Sequence, residues 1–431
     1  MQDSNSLLKA KRDQLRVQIR RDQLENVFRS KRVIDNKDQS TKYQTIHQEL
    51  IQNIERQSNK LLQDKNLMKE LFESNDKMAL VILANSCASE SDQTIYTLIN
   101  DYQIHMYFMQ KLQLNNDEDI RYRCYFGLAN ILYTNSKIAR SIKKQLFNQN
   151  ILAETQKSLQ NLKQDQIEHI NAVFRLLFGL FDKINDCNCS ELIKQSQIID
   201  ICIKVIDLMD TRLSLAALVL IKASELCEGL LELFDDEKLK YLLSCTELQD
   251  DKQTCQILRL IDELFLRSDV TLIISCLDNL NLDSVIKSAL SQEDSYSCQA
   301  ALDLIYHMAI KNNETIQSFA YLLYDDVIKL LRTTKSKRSI DICLKILSEL
   351  IQSQILKTEI NTLNEFIFEI CEERYAYFDY QNCHLALEVL MDLKEHYGID
   401  IPNDYKKKLK QWRGIEHEQL EELISLILDA E

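Results

Sequence analysis

ALVILANSCASESDQT, residues 79–94, has a form that recurs along the chain: a small residue, an apolar run on helical spacing and a polar step. Seven further segments share this form, at 125–140, 172–183, 216–226, 256–269, 300–317, 341–354 and 385–396. Aligned at one helix position, the eight segments give Val81, Phe126, Phe174, Leu218, Arg259, Leu302, Leu344 and Glu388, spaced 41 to 48 residues apart. A unit this short cannot bury its apolar face alone, so the spacing predicts a stack of similar units.

The composition of the chain predicts that these units are helical. Its 431 residues include only 5 Gly and 1 Pro, the residues on which tight turns and phosphate-binding loops depend. The repeat length is typical of armadillo and HEAT repeats, which contain two or three helices each. We therefore expect an all-α fold, a right-handed α-solenoid (an armadillo-repeat superhelix) of about eight to ten repeats over residues 46–431. A stack of unrelated helical hairpins is the other interpretation that the pattern allows.

No feature of the sequence indicates an enzyme, a metal site or a cofactor. The chain lacks a Gly-rich phosphate loop, a nucleophile elbow and the His/Asp/Glu spacing of a metal site. Its 13 Cys lie mostly in apolar helical stretches, so we expect small buried hydrophobic residues in a reducing compartment. No apolar run approaches the ~20 residues of a membrane helix, and the N-terminus has no signal-peptide core. These observations predict a soluble intracellular protein.

The N-terminal arm, residues 1–45, differs from the rest of the chain in charge. Residues 9–37 contain ten Lys and Arg against four Asp and Glu, a local charge of +6 in a chain of net charge −14. Arg12, Arg16 and Arg20 would form one cationic stripe on a helix, because they are four residues apart. The stripe is extended by Arg21, Arg29, Lys31 and Arg32. We expect a flexible arm that binds an acidic partner; nucleic acid, an anionic membrane, calmodulin and a solvated tail are the alternatives.

Several of the repeated segments resemble the third armadillo helix of importin-α. LANSCASESDQT places Asn85 where that family carries its matching Asn, and GLANILYTNSKIAR places Asn130 four residues after Phe126. Segments that resemble later repeats follow in order: LRLIDELF with Arg259 at the key position, ALEVLMDLK, and KLKQWRGIEHEQLEELISLILDAE. The resemblance implies a nuclear import adaptor that shuttles between cytoplasm and nucleus and links cargo proteins with basic nuclear localization signals to importin-β. It also implies an export receptor as a partner of the C-terminal repeats, with no membrane and no direct nucleic-acid contact.

The arm resembles the importin-β-binding segment that precedes the armadillo array in importin-α. The match is RRDQLENVFRSKR, residues 20–32, whose last six residues take the place of the family's helix end Leu-Arg-Lys-x-Lys-Arg. The resemblance implies that importin-β binds Arg12, Arg16, Arg20, Arg21, Arg29, Lys31 and Arg32. Two features differ from the family: its run of four Arg is reduced to two, and residues 33–44 lack a second basic cluster. Self-inhibition of the groove is therefore expected to be weak.

The resemblance also implies a cargo site in the first half of the array. In importin-α, Trp side chains stack on the aliphatic stems of cargo Lys and Arg, and Asn side chains clamp the backbone of the extended cargo peptide. The corresponding residues in this chain are Val81, Asn85, Phe126, Asn130 and Phe174. We expect Phe126 and Phe174 to provide the stacking faces and the two Asn to act as clamps. Either Phe would also suit an ordinary core position on its apolar helix.

The chain departs from the importin-α pattern elsewhere. No Trp remains in the array, since the single Trp412 lies near the C-terminus. In the second half, Leu302/Tyr306 and Leu344/Ser348 replace both members of the stacking and clamping pair. These departures predict a divergent adaptor with an altered cargo set. Two alternatives stay open: an armadillo scaffold for protein interactions without a transport role, and a regulator that titrates importin-β without binding standard signals.

Overall fold

The computed structural model describes most of the chain from residue 39 to residue 429. The described ranges are 39–74, 76–89, 91–133, 137–161, 166–182, 187–208, 214–227, 230–234, 236–248, 251–356, 360–414 and 417–429. They contain 25 α-helices, two short 3₁₀ helices and no strand. The predicted all-α class is therefore confirmed for the described residues. The boundary expected between residues 45 and 46 falls inside the first described helix.

The helices form two compact units, of which the first ends at Leu180 and the second begins at Phe181. The helices of the first unit are α1 (Gln39–Gln52), α2 (Ile54–Gln63), α3 (Lys65–Glu73), α4 (Lys77–Ser86), α5 (Asp92–Asn100), α6 (Ile104–Leu114), α7 (Glu118–Tyr133), α8 (Lys137–Asn148), α9 (Ile151–Asn161) and α10 (Ile167–Phe181). From α2 onward they form triplets. Helix α1 packs on α4 and α4 on α7, while α2 packs on α5 and α5 on α8. Equivalent helices of consecutive triplets thus lie side by side.

The second unit repeats this arrangement. Its helices are α11 (Cys187–Gln195), α12 (Ile198–Leu208), α13 (Ser214–Leu226), α14 (Asp236–Ser244), α15 (Asp251–Leu266), α16 (Val270–Asn279), α17 (Leu282–Leu290), α18 (Tyr296–Ala309), α19 (Glu314–Tyr321), α20 (Tyr324–Thr333), α21 (Lys337–Gln352), α22 (Ile360–Ala376), α23 (Tyr380–Tyr397), α24 (Asn403–Gln411) and α25 (Glu418–Asp429), with 3₁₀ helices at Leu230–Leu233 and Cys245–Leu248. Helix α13 packs on α15, α15 on α18, α18 on α21 and α21 on α23. Helices α16 and α17 pack on α19 and α20 in the same way.

The period found in the sequence is visible in the packing of each unit. Each of the eight aligned segments lies in a helix of its own: α4, α7 and α10 in the first unit, and α13, α15, α18, α21 and α23 in the second. Side-chain hydrogen bonds join successive members of these rows. Asn130 bonds to Ala84, 46 residues earlier, and His307 bonds to Asp262, 45 residues earlier. Each unit is therefore an all-helical stack of the kind expected for a solenoid-like repeat.

The helix ends show how the chain turns with so little glycine. The polar steps of the sequence supply N-caps, because the side chains of Asp76, Ser91 and Ser336 accept hydrogen bonds from backbone N–H groups two or three residues later. Several turns place a residue other than Gly in the left-handed region: Gln103, Asn150, Asp294, Gln354 and Phe378. Asn and Asp adopt this conformation more readily than the other residue types that carry a Cβ.

The cysteines belong to the core. Twelve of the 13 Cys have described side chains, and all twelve are free and buried. They include Cys124, Cys202, Cys227, Cys255 and Cys343, so the prediction that these are buried hydrophobic residues is confirmed. Burial raises the pKa of the Cys124 thiol to about 12. Among the described helices, none combines the length and the apolar character needed to cross a membrane.

Candidate functional site

The candidate site is one side of helices α4, α7 and α10 in the first unit, called here the third-helix face. It consists of Val81 and Asn85 on α4, Tyr122, Phe126 and Tyr133 on α7, and Phe178 on α10. Helix α4 contacts α1, α2, α3 and α7, while α7 contacts α4, α6 and α8 and meets α10 through Tyr133 and Leu132. The side chains named above remain partly exposed on these helices.

Helix α4 presents Val81 and Asn85 one turn apart. It begins at the N-cap Asp76, whose carboxylate accepts a hydrogen bond of 2.8 Å from the Met78 N–H. Both Val81 and Asn85 are partly exposed. Nδ2 of Asn85 lies 3.1 Å from Nε2 of His47 on α1, a contact that orients the carboxamide. The Asn85 Oδ1 is then available to accept a hydrogen bond from a ligand.

Asn130 joins α7 to α4 instead of facing solvent. Its side chain is buried, and Nδ2 donates a hydrogen bond of 3.0 Å to the carbonyl oxygen of Ala84. Ala84 lies in the last turn of α4, where backbone carbonyls have no partner within the helix. Asn130 therefore satisfies a carbonyl group that the end of α4 leaves open. The side-chain Nδ2 of Asn130 thus donates to the protein itself and not to a ligand.

Partly exposed aromatic side chains follow one side of α7. The Phe126 ring lies 6.1 Å from that of Tyr122, and the guanidinium of Arg123 lies 4.7 Å from the centre of the Tyr122 ring. Further along, Tyr133 stacks on Phe178 of α10, with ring centres 5.9 Å apart. The stripe formed by positions 122, 126 and 133 has helical i, i+4, i+11 spacing. That spacing is the signal by which Tyr122 and Tyr133 could have been found from the sequence.

The structure separates the two Phe residues that were expected to provide stacking faces. Phe126 is partly exposed, whereas Phe174 is 2% exposed and belongs to the core. On α10 the partly exposed aromatic residue is Phe178, one turn after Phe174. As the helices lie here, Phe178 is the ring of α10 that a ligand on the third-helix face can reach.

A buried arginine fixes the position of α7. The Arg121 guanidinium donates hydrogen bonds to the Leu112 carbonyl at 2.6 Å, to Ser158 Oγ at 3.0 Å and to the Tyr125 hydroxyl at 2.9 Å. It also forms an ion pair of 2.8 Å with Glu154. Burial raises the pKa of Tyr125 to about 12, so the phenol stays protonated and donates to the Glu154 carbonyl at 2.8 Å. These contacts tie α7 to α6 and α9 and hold the third-helix face in place.

Two glycines allow α7 to approach its neighbours closely. A Cβ atom on Gly127 would lie 2.5 Å from Cε2 of Phe108 on α6. A Cβ atom on Gly179 of α10 would lie 2.9 Å from Cβ of Leu132 on α7. Both distances are too short for carbon atoms in contact. Glycine is therefore required at these positions for tight helix packing.

Two carboxylates near the third-helix face, Asp117 and Asp119, are already paired. Lys77 of α4 forms ion pairs with Asp117 at 3.0 Å and with Asp119 at 3.5 Å, and Arg123 lies 3.5 Å from Asp119. A strongly basic peptide would therefore have to displace Lys77 or Arg123 before it could bind to these carboxylates.

On α10, the buried Nε of Arg175 has no hydrogen-bond partner among the residues that the structure describes.

In the second unit, the positions that correspond to the expected stacking and clamping residues are either buried or already hydrogen-bonded within the protein. Leu302 and Leu344 are completely buried, which places them in the core. One turn later, Tyr306 and Ser348 are partly exposed. Ser348 Oγ donates a hydrogen bond of 2.5 Å to Asp392 on α23. Within the described ranges, no group of three or more His, Cys, Asp and Glu is arranged so that it could hold a metal ion.

The expected importin-β-binding residues lie outside the described residues: Arg12, Arg16, Arg20, Arg21, Arg29, Lys31 and Arg32. The structure thus brings together Val81, Asn85 and Phe126 of the expected cargo residues. Asn130 and Phe174 are buried, and Asn130 is bonded to the Ala84 carbonyl of α4.

Comparison with known proteins gives a likeness of fold. No family model matches the chain, and no curated protein sequence does. An engineered protein that was a target of the Northeast Structural Genomics Consortium aligns with a TM-score of 0.69 over 91% of this chain and 96% of its own, at 14% sequence identity. A second engineered protein from the same consortium aligns with a TM-score of 0.44 over 59% of this chain and 99% of its own, at 18% identity. At 14% identity, what the chain shares with the first of these proteins is its all-helical fold.

Proposed function

We propose that the chain is an importin-α-like nuclear import adaptor. Its third-helix face would hold an extended cargo peptide, and its basic arm would bind importin-β. The observation that carries this proposal is the position of Val81, Asn85 and Phe126. These residues lie partly exposed on two third helices that pack side by side. The finer features of the fold, armadillo repeats in a right-handed superhelix, belong to the same proposal.

The spacing of the helices suits an extended peptide. Packed helices are about 8–10 Å apart, which is roughly three residues of an extended chain. Asn85 would clamp the peptide backbone by accepting a hydrogen bond at Oδ1, while its Nδ2 is held by His47. Phe126, beside Tyr122, would contact the aliphatic part of a cargo side chain one helix further along. A single peptide could therefore contact both helices at once.

Fewer residues are available for this task than the resemblance implies. Asn130 is hydrogen-bonded to Ala84 and Phe174 is buried, so one clamp and one stacking face remain. Because Asp117 and Asp119 are paired with Lys77 and Arg123, these two carboxylates offer less charge to a basic peptide. These observations favour a second candidate function: a protein-interaction scaffold that binds peptides other than standard basic signals.

The proposed binding of importin-β by the N-terminal arm rests on charge. Seven Lys and Arg of the expected segment could form charge-assisted hydrogen bonds with an acidic concave surface. Pull-down of importin-β by the full chain should be lost in Arg20→Ala/Arg21→Ala and kept in Lys335→Ala/Lys410→Ala, which removes two exposed Lys elsewhere. Binding should be measured at physiological salt, where weak surface attraction is screened.

Peptide binding distinguishes the candidate functions. A fluorescently labelled basic localization-signal peptide should bind the full chain, and Asn85→Ala should weaken binding by about ten-fold. The matched control is Asn312→Ala, which removes an exposed carboxamide from the second unit. Binding of both importin-β and the signal peptide supports the adaptor. Binding of importin-β alone indicates a titrating regulator, and binding of neither indicates the scaffold.

A further inference from the structure

The first unit has a second concave surface, separate from the third-helix face. It lies beside α3, α6 and the turn between α8 and α9, so it spans three consecutive triplets. Its volume is about 670 Å³. This is within the range of cavities that bind ligands, about 300–1,000 Å³. None of the residues of the third-helix face lines it.

The lining of this cleft is uncharged and rich in carboxamides. Its ten lining residues include no Asp, Glu, Lys, Arg or His, although 27% of the chain is charged. Six of them carry a carboxamide: Gln103, Gln110, Gln113, Asn148, Gln149 and Asn150. We call this surface the amide cleft. None of these lining side chains is a charged partner for a phosphate, a carboxylate or an ammonium group. Lys111 is not among them, and its Nζ lies 5.4 Å from the centre of the Tyr107 ring.

The floor of the amide cleft is a cluster of aromatic rings. Phe72 is stacked on Tyr102, with ring centres 6.0 Å apart, and meets the edge of Tyr107 at 4.8 Å. The Tyr102 hydroxyl donates a hydrogen bond of 3.4 Å to the Leu62 carbonyl. Met106 lies beside these rings, and a Met side chain adapts readily to apolar ligands. The floor is thus a fixed apolar patch with one adaptable member.

Two of the six carboxamides are oriented by contacts within the protein, and the other four stay available for hydrogen bonds. Gln149 Nε2 lies 3.1 Å from Sδ of Met106, and Gln113 Nε2 donates to the Gln149 carbonyl at 3.4 Å. The side chains of Gln103, Gln110, Asn148 and Asn150 are exposed, and the structure shows no hydrogen bond from them to any described residue. Each therefore presents both a donor and an acceptor to the cleft.

Backbone geometry positions two of the carboxamides of the cleft. Gln103 has φ +48° and Asn150 has φ +60°, both in the left-handed region. They occupy the same turn of consecutive triplets, between the first and second helices. The left-handed conformation is disfavoured for residues that carry a Cβ, and it also occurs at three turns of the second unit, so here it positions the two carboxamides and does not by itself mark a ligand site. A glycine would relieve the strain, but it would also remove two of the six carboxamides.

We propose that the amide cleft binds an extended, uncharged polypeptide segment. The carboxamides pair with the peptide groups of the segment, and one apolar side chain rests against Phe72, Tyr107 and Met106. Three triplets span about 20 Å, which is roughly six residues of an extended chain. A sugar fits less well, because it would need an open ring face and Phe72 is already engaged by two other rings. This proposal does not depend on the proposed import function.

The test begins with the selection of a ligand. Random heptapeptides displayed on phage are selected on the immobilised full chain, on Gln110→Ala/Gln113→Ala, and on the control Gln292→Ala/Asn312→Ala, which removes two exposed carboxamides from the second unit. We expect a shared uncharged motif on the wild type and the control that is absent from the cleft variant. Gln110 and Gln113 are exposed, so the cleft variant should keep its helical circular dichroism and its thermal midpoint.

The selected peptide is then synthesised with a fluorophore and its affinity measured by anisotropy. The cleft variant should bind it about ten-fold more weakly than the control does. Because the recognition is uncharged, the Kd should change less than about two-fold between about 50 and 500 mM salt.

Four outcomes would overturn the proposal. They are the absence of a shared motif, a motif of charged residues, binding that high salt removes, and equal affinity of the cleft variant and the control. A glycan array probed with the same three proteins provides the last comparison. If glycans bind in a way that depends on Gln110 and Gln113 while no peptide is selected, the ligand of the amide cleft is a carbohydrate and not a polypeptide.

Discussion

His307 and Asp262 link α18 to α15 in the second unit through a hydrogen bond of 2.7 Å between Nδ1 and Oδ1. The buried carboxylate of Asp262, with Asp303 and Glu263 nearby, raises the pKa of His307. A His whose pKa is raised by folding stabilises the protein below its unfolded pKa, near 6.5, and this stability is lost as the pH rises through the folded value. His307→Gln should therefore lower Tm at pH 6 by roughly 2–4 °C, with a smaller effect at pH 8.5.

Calorimetry of the wild type and His307→Gln across this pH range measures the difference directly. Gln keeps a hydrogen-bond donor for Asp262 but carries no titrating charge. A Tm difference that grows with rising pH would contradict the assignment of the charge to His307.

Phe126 and Phe174 should respond in opposite ways to truncation. Phe174→Ala removes a ring that is 2% exposed, so it should lower the free energy of unfolding by about 3–5 kcal/mol. Phe126→Ala removes a partly exposed ring, and its cost should be about 1 kcal/mol. In the peptide-binding assay, however, Phe126→Ala should weaken affinity about ten-fold. Urea unfolding and anisotropy on the same preparations check both expectations. Equal destabilisation by the two variants would show that Phe126 is a core residue.

Arg121 should be among the most sensitive positions of the first unit. Arg121→Met leaves the Leu112 carbonyl, Ser158 and Glu154 without their buried partner, so we expect a loss of about 3–5 kcal/mol in the free energy of unfolding. Arg56→Met, an exposed position on α2, is the matched control and should stay within about 0.5 kcal/mol of the wild type. Urea denaturation of the two variants decides the matter: similar midpoints would mean that the Arg121 contacts contribute little.

Gly127 tests the close approach of α6 and α7. Gly127→Ala should destabilise the protein by about 1–3 kcal/mol, because the new methyl group would overlap the Phe108 ring. Phe108→Leu in the same chain provides space for that methyl group. The double variant should therefore be more stable than the sum of the two single changes predicts. Strict additivity in thermal or urea unfolding would show that Phe108 is not what excludes a side chain at position 127.

The cysteines should be protected from thiol reagents in the folded protein. Cys371 and Cys383 are buried with their sulfur atoms 3.5 Å apart, and burial holds the pKa of Cys371 well above its usual range. The thiolate is the reactive species, so labelling by a disulfide reagent at pH 8 should be slow in buffer and fast in urea. Mass spectrometry of peptides from the native sample measures the protection. Rapid modification of Cys371 or Cys383 in buffer would argue against this packing.

The sequence predicted the helical class and the period because both depend on composition and local pattern. Scarce Gly and Pro exclude most other architectures, and apolar runs about 44 residues apart mark the helices that form the rows. The orientation of individual residues was harder to predict. Phe174 and Phe178 lie in one apolar run, AVFRLLFGLF, in which neither neighbours nor spacing shows which ring points inward.

Contacts between triplets limited the prediction of the site. The role of Asn130 depends on the carbonyl of Ala84, 46 residues earlier, and on where α4 ends. No local pattern contains that information. The amide cleft combines residues from three triplets that share no motif, so it was not predicted either. The end of the first unit at Leu180 falls within α10 and carries no linker composition that would mark it in the sequence.

The hydrogen bonds that join residues about one repeat apart have a consequence for how the protein unfolds. Because each triplet relies mainly on its immediate neighbours, an opened end removes support from the next triplet only, and melting can stop partway along a unit. Probes placed in different triplets should then report different midpoints, so each Tm and each unfolding free energy predicted above is the one measured by a probe in the unit that carries the substituted residue. Damage at one end would leave a shortened but still folded remainder.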